Sequence, residues 1–98
     1  PAILRFLRRV SRQSAAAKVP TTVCGEMGGR SLEAMALLGI GIDRLSITPA
    51  AVGPIKAMIR SLDLAPLREK LDQWLDHPPA DMRATMAEWA SANGVEIA

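Results

Sequence analysis

The segment from Thr21 to Ser31 constrains the fold of this chain more than any other feature. A short β-branched run ends at Cys24, the only cysteine, and a glycine-rich turn follows it directly. Ser31 is predicted to cap the next helix, which covers Leu32 to Leu38. In α/β proteins, functional side chains collect where the carboxyl end of a strand meets a loop. The sequence therefore places Cys24 where a functional side chain is expected.

The whole chain reads as alternating helices and strands followed by a helical pair. The predicted elements are a helix over residues 2–17, strands at Thr21–Cys24 and Arg44–Thr48, helices at Leu32–Leu38 and Pro49–Ser61, and helices marked by Leu64–Leu75 and Met82–Ala90. Such alternation with short connections is typical of βαβ units with parallel strands. Two strands are too few for an independent parallel sheet, whose faces and edges are normally covered. We therefore expect either that other copies of the chain supply the missing strands or that the chain is a piece of a larger domain.

The helices carry more detailed expectations. The first helix is predicted to face the core with Ile3, Phe6, Leu7 and Val10, and the helix after Pro49 with Ile55, Met58, Ile59 and Leu62. Gly39 is predicted to end the second helix, and Pro54 to be tolerated near a first turn. Thr48 is predicted to cap the helix that starts at Pro49, and Asp81 and Gly94 flank the last helix.

Composition and charge exclude several classes of protein. A chain of 98 residues suits one small domain, and 49% hydrophobic with 3% aromatic residues indicates an aliphatic core. No run approaches the roughly 18 apolar residues of a membrane span. The lone cysteine cannot form an internal disulfide, so a cytoplasmic protein is expected.

Basic residues are concentrated at the beginning of the chain. The first eighteen residues contain five basic and no acidic residues, whereas the rest contains seven basic and ten acidic ones. A basic helix can contact phosphates, but no groove-reading pattern accompanies these charges. A solvated helix face is therefore favoured over nucleic-acid binding.

From Cys24 to Gly29, the sequence Cys-Gly-Glu-Met-Gly-Gly resembles the C-terminal end of enzyme I. Enzyme I is the phosphoenolpyruvate (PEP)-protein phosphotransferase of bacterial sugar and nitrogen phosphotransfer systems. The resemblance continues through residues 36–43, 45–48 and 55–60. Arg30 stands where the family commonly has aspartate, and Pro54 where many members have a basic residue. Pyruvate phosphate dikinase and PEP synthase share a related Cys-Gly element and remain alternatives.

The resemblance implies that residues 1–98 are the C-terminal segment of a PEP-binding (β/α)8 TIM barrel, with its seventh and eighth strands. It implies that PEP with Mg²⁺ phosphorylates a histidine on another domain, which passes the phosphoryl group to an HPr-type carrier. The family's Mg²⁺ ligands and phosphate-binding arginines belong to earlier strands, so no metal ligand is expected here. The chain alone is expected to be inactive. A homodimer through the barrel is implied, and a non-catalytic dimerisation module derived from the barrel is a further alternative.

The resemblance gives Cys24 a chemical role. Loss of the phosphoryl group from PEP leaves pyruvate enolate, whose methylene carbon must be protonated. Cys24 matches the family's cysteine that supplies this proton, and a thiol, with an ordinary pKa of about 8.5, carries its proton at neutral pH. Gly25, Gly28 and Gly29 are candidate substrate-binding residues through close backbone approach, and ordinary turn residues otherwise.

Other polar residues have ordinary explanations. Ser46 and Thr48 end the second strand, where barrels often bind phosphate, but helix capping is favoured for Thr48. His77, the only histidine, falls in a predicted turn and matches no phosphohistidine motif. Glu26 and Glu33 lack the neighbouring carboxylates that a Mg²⁺ site requires.

Overall fold

The chain is arranged around one helix that is buried along its length. The computed structural model describes residues 2–24 and 29–97. The elements are α1 (Ala2–Ala16), β1 (Thr22–Cys24), α2 (Ser31–Gly39), β2 (Arg44–Ser46), a 3-10 turn (Pro49–Ala51), α3 (Val52–Arg60), α4 (Leu64–Asp76) and α5 (Met82–Ala92). The predicted order of helices and strands is confirmed, with both strands shorter than predicted.

The two strands form a parallel sheet that is covered on one face. Val23 pairs with Leu45, and Cys24 pairs with Ser46. Successive strand residues point to opposite faces. Val23 and Leu45 pack against the core, whereas the residues on the opposite face are exposed. The sheet of the described chain therefore has one open face as well as open edges.

The helix α2 is apolar on all sides, and the other helices pack around it. Eight of its nine residues are buried. The helices α3 and α4 contact it directly, and the core extends into α5 through Met82, Met86 and Ala90. A helix that is hydrophobic all round is stable only in an interior. The position of α2 thus organises the core.

The apolar face predicted for α1 is only partly correct. Leu7 packs against the core together with Leu4, and Val10 is half-buried. Ile3 and Phe6, however, are 64% and 66% exposed. The apolar spacing identifies the helix, but it does not determine how much of that face the rest of the chain covers.

The prediction of a solvated basic face on α1 is partly correct: Arg5, Arg9 and Arg12 are exposed, but this face also contacts α4. The bonds join Arg8 to Asp72 (3.2 Å) and Asp76 (3.0 Å), Arg12 to Asp72 (3.0 Å), and Arg5 to the backbone carbonyl of Leu75 (2.8 Å). Exposed ion pairs contribute little stability each, so this network mainly fixes the orientation of α1. Three of the five basic residues near the amino terminus therefore serve the fold.

Several helix boundaries differ from the prediction. The helix α2 begins at Ser31, and Arg30 rather than Ser31 occupies the N-cap position. Gly39 is the last residue of α2, and the left-handed residue that follows the helix is Gly41, at φ +103°. Thr48 is the N-cap of the 3-10 turn, but its side chain makes no capping bond.

The helix predicted from Pro49 to Ser61 is divided into the 3-10 turn and α3. Pro54 is the third residue of α3, where the missing N–H leaves no helical bond unmade, so the prediction of tolerance is confirmed. Ile55 and Met58 are buried as predicted, but Ile59 is 45% exposed.

The C-terminal helical pair agrees with the prediction. Leu67, Leu71 and Leu75 of α4 are buried. The carboxylate of Asp81 caps α5 by accepting a hydrogen bond from the Ala84 amide at 3.0 Å. His77 is exposed at the end of α4.

Gly39 lies where α2 crosses α4, and its replacement tests how closely the two helices pack. A Cβ at this position would overlap Leu71 Cδ1 and lie 3.1 Å from Leu67. Because Leu67 and Leu71 are fully buried, we expect Gly39→Ala to lower the free energy of unfolding by about 1–3 kcal/mol. Gly53→Ala, in α3 with no atom within 4 Å of the new Cβ, should instead raise it by about 0.5–1 kcal/mol. Urea denaturation measures both changes, and equal effects would contradict the packing argument.

Candidate functional site

Cys24 is the last residue of β1 and is exposed. It lies on the open face of the sheet together with Thr22, Arg44 and Ser46. Because Cys24 and Ser46 are paired across the parallel strands, their side chains lie side by side at the carboxyl end. The structure therefore puts the thiol at an accessible strand end, as the sequence predicts.

Of the three glycines predicted to bind substrate, only Gly29 lies within the described residues. Gly25 and Gly28 lie outside the described residues, and so does Glu26. Gly29 is half-buried, and a Cβ there would lie 3.6 Å from Ala51 Cβ, an ordinary contact. Packing within the chain does not require glycine at position 29, and a role in substrate binding remains a prediction.

A cleft of about 480 Å³ lies beside the start of α2. We call it the α2 cleft, and its polar lining residues are Arg30, Ser31, Glu33, Thr48 and Arg83. Apart from Arg83 of α5, its lining comes from the segments that follow β1 and β2, so the cleft is on the side of the carboxyl ends of both strands. Guanidinium groups, hydroxyls and a helix amino terminus suit polar and anionic groups, but the Glu33 carboxylate already occupies part of this environment. Cys24 is close in sequence but does not line the cleft.

Glu33, in the first turn of α2, forms an ion pair with Arg83 of α5. The Glu33 side chain is 15% exposed, whereas that of Arg83 is 64% exposed. Burial raises the pKa of Glu33, but the hydrogen bond from Arg83, the backbone amide of Glu33 and the charges of Arg83 and Arg30 together lower that pKa below its ordinary value. No local sequence pattern predicts this pair, because its partners are 50 residues apart.

Two buried polar atoms at the start of α2 have no hydrogen-bond partner in the described structure. They are Ser31 Oγ and Glu33 Oε2, and Ser31 is only 5% exposed. Buried polar atoms are usually paired, so an unpaired hydroxyl and an unpaired carboxylate oxygen in one turn are unfavourable. The ion pair between Arg83 and Glu33 therefore offsets part of the free-energy cost of burying the polar groups of this turn.

Within residues 2–24 and 29–97, no group of three or more His, Cys, Asp or Glu side chains could hold a metal ion. The described residues thus do not fit a Mg²⁺ site. Among the same residues, no helix is long and apolar enough to cross a membrane.

Comparison with known proteins identifies the family. The sequence model of the family described as "PEP-utilising enzyme, PEP-binding domain" matches residues 1–64. This chain belongs to that family. The matched part contains β1, α2, β2 and α3, and therefore Cys24 and all of the α2 cleft except Arg83.

Similar curated proteins are bacterial phosphotransferases. The PEP-protein phosphotransferases of Staphylococcus carnosus and Cupriavidus necator are 36% identical over 69 residues and 33% identical over 91 residues. Multiphosphoryl transfer protein 1 of Escherichia coli is 33% identical over 69 residues. These alignments cover 70%, 92% and 70% of this chain, but only 12%, 16% and 8% of the respective relatives. No solved structure matches this chain.

The lowered pKa of Glu33 predicts a pH-dependent contribution to stability. A lowered pKa means that folding favours the charged carboxylate, so the contribution is present above the ordinary Glu pKa and is lost as the pH falls through the folded-state pKa. We expect Glu33→Gln to cost about 0.5–1 kcal/mol of unfolding free energy at neutral pH, because the pair is half in solvent. The difference from the wild type should shrink below about pH 4.

Urea denaturation at neutral and acidic pH measures this difference. Glu88→Gln, at an exposed position of α5, makes the same change in charge and is the matched control. A Glu33→Gln effect that stays constant down to acidic pH would contradict the linkage to the charged carboxylate.

Proposed function

We propose that this chain is the end of the PEP-binding domain of a PEP-protein phosphotransferase, in which Cys24 protonates pyruvate enolate. Membership of the family of PEP-utilising enzymes supports PEP as the substrate. The observation that carries the role of Cys24 is its exposed position at the carboxyl end of β1, ahead of the glycine-rich segment. The relatives named as multiphosphoryl transfer proteins support transfer to a phosphocarrier of the HPr type.

The half-covered sheet supports a place at the end of a (β/α)8 barrel. In that fold, strand residues alternate between the interior and the surrounding helices, and active sites lie at the carboxyl ends of the strands. Val23 and Leu45 would be the helix-facing positions, and the open face would line the interior. Further strands would then pair with the open edges, and Cys24 and Ser46 would lie at the mouth of the barrel. A homodimer formed through that barrel is part of the same proposal.

The chemical step assigned to Cys24 is one proton transfer. When PEP gives its phosphoryl group to a histidine elsewhere in the protein, the P–O bond breaks and pyruvate enolate remains. The Cys24 S–H bond then breaks, its proton bonds to the methylene carbon, and the electron pair stays on sulfur. The enolate C–O bond becomes the ketone of pyruvate, and solvent returns a proton to the thiolate.

Mg²⁺ is proposed to act in the whole protein through ligands outside these 98 residues, where it would neutralise charge on PEP. The described residues offer no set of carboxylates for it. What this chain supplies is the proposed proton donor at a strand end and a polar cleft at the start of α2.

Replacement of Cys24 tests the proposed role in the protein that carries these 98 residues. With Cys24→Ala, we expect phosphorylation by PEP to persist while pyruvate release falls by about 100- to 10,000-fold, the range for loss of a general acid. Thr22→Ala, on the same strand and the same open face, is the matched control. Pyruvate is measured with an added dehydrogenase that reduces it and oxidises a nicotinamide cofactor. The phosphohistidine is measured by mass spectrometry. Normal pyruvate release by Cys24→Ala would make Cys24 a packing residue.

The 98-residue chain alone should release no pyruvate from PEP. The described part has a proton donor but lacks a site for the metal. The same coupled assay, run with the chain alone and Mg²⁺, checks this expectation. Turnover above that of a Cys24→Ala chain would contradict it.

A further inference from the structure

Arg83 brings a cation to the candidate site from outside the part of the chain that defines the family. The family match ends at residue 64, whereas Arg83 is the second residue of α5. Its guanidinium nevertheless pairs with Glu33 and lines the α2 cleft. A C-terminal helix thus lines the same cleft as Gly29 and Arg30.

One ion pair joins the buried first turn of α2 to α5. Glu33 lies in this turn with its side chain 15% exposed, and it pairs with Arg83 of α5. The buried hydroxyl of Ser31 has no partner in the described structure. The first helical bond of this turn joins the Ala34 amide to the Arg30 carbonyl at 2.8 Å.

The start of α2 is also close to Cys24 along the chain, because only residues 25–30 separate Cys24 from Ser31. A shift of the first turn of α2 would move the end of that short segment. It would also move the α2 cleft, of which Ser31 and Glu33 are part.

We propose that Arg83 is a positioning residue that acts through Glu33. It fixes the first turn of α2 relative to Cys24 and so shapes the surface that receives PEP. This role rests on the proposed function, because it concerns PEP binding beside Cys24. Because Arg83 acts through Glu33, its loss should weaken substrate binding rather than slow the proton transfer.

Hydrogen exchange tests the structural half of the proposal without PEP. We expect Arg83→Met to speed exchange of the Ala34 amide by about two- to fivefold, the worth of one half-exposed ion pair. Arg83→Lys keeps the charge and should restore slow exchange. Arg9→Met, which removes an exposed arginine of α1, is the matched control. The Val95 amide, bonded to the Ala90 carbonyl at 2.9 Å, reports on the far end of α5 and should not change.

A double substitution tests whether Arg83 acts through Glu33. If the two side chains act only through each other, adding Glu33→Gln to Arg83→Met should speed Ala34 exchange no further than the larger single effect. Fully additive effects would overturn the proposed route through Glu33.

Steady-state kinetics of the protein that carries the chain tests the functional half. We expect Arg83→Met to raise KM for PEP by about two- to fivefold with kcat unchanged, and Arg83→Lys to restore KM. Unchanged Ala34 exchange, equally faster exchange at Val95, or an unchanged KM would each overturn the positioning role. If Cys24→Ala instead releases pyruvate normally, the proposed function fails, and the exchange experiment still decides whether Arg83 fixes the start of α2.

Discussion

The burial of α2 is the constraint on which the rest of the structure depends. A nine-residue helix with eight buried residues must be covered on nearly every side, and a chain of this size has few other helices and strands to cover it. Val23 and Leu45 of the sheet pack against the core that contains α2, and α3 and α4 pack directly against α2. At Gly39 the side chains of Leu67 and Leu71 of α4 come so close to α2 that a Cβ would overlap Leu71. Because these elements pack around α2, no element of the described chain covers the second face of the sheet. The accessibility of Cys24 is a consequence of how the core is built.

The sequence predicts the helices and strands well, but it predicts the contacts between them less well. Helix and strand order follows from local periodicity, so α4, with its buried leucines, and the parallel sheet could be predicted residue by residue. The partner of a helix face is not local information. Ile3 and Phe6 have the spacing of a core face but are exposed, and the arginines beside them bind α4. Apolar residues with a period of 3.6 predict a helix with one apolar and one polar face, but they do not predict which element packs against each face.

The candidate site divides in the same way. The position of Cys24 at a strand end follows from a β-branched run and the glycines after it, which are local signals. The pair of Glu33 and Arg83 joins positions 50 residues apart, and nothing in either neighbourhood indicates the other. The sequence places Glu33 in the first turn of α2 without indicating its partner, and it predicts Ser31 at the N-cap position that Arg30 occupies in the structure. Long-range polar contacts of this kind depend on how the helices pack, so they become visible only in three dimensions.

The contacts made by the C-terminal helices explain how a segment outside the family match can matter for a site inside it. The carboxylates of α4 hold α1, Arg83 of α5 holds the start of α2, and the Glu96 amide donates to the Ser61 hydroxyl at the end of α3 at 2.8 Å. Each contact is polar and individually weak, whereas the apolar contacts beneath them are extensive. Apolar burial therefore keeps the C-terminal helices attached to the core. A few directional hydrogen bonds and ion pairs determine where the ends of the other helices lie. A change in one of those bonds would alter the position of a helix end with little loss of stability, and the start of α2 is the helix end that lines the α2 cleft.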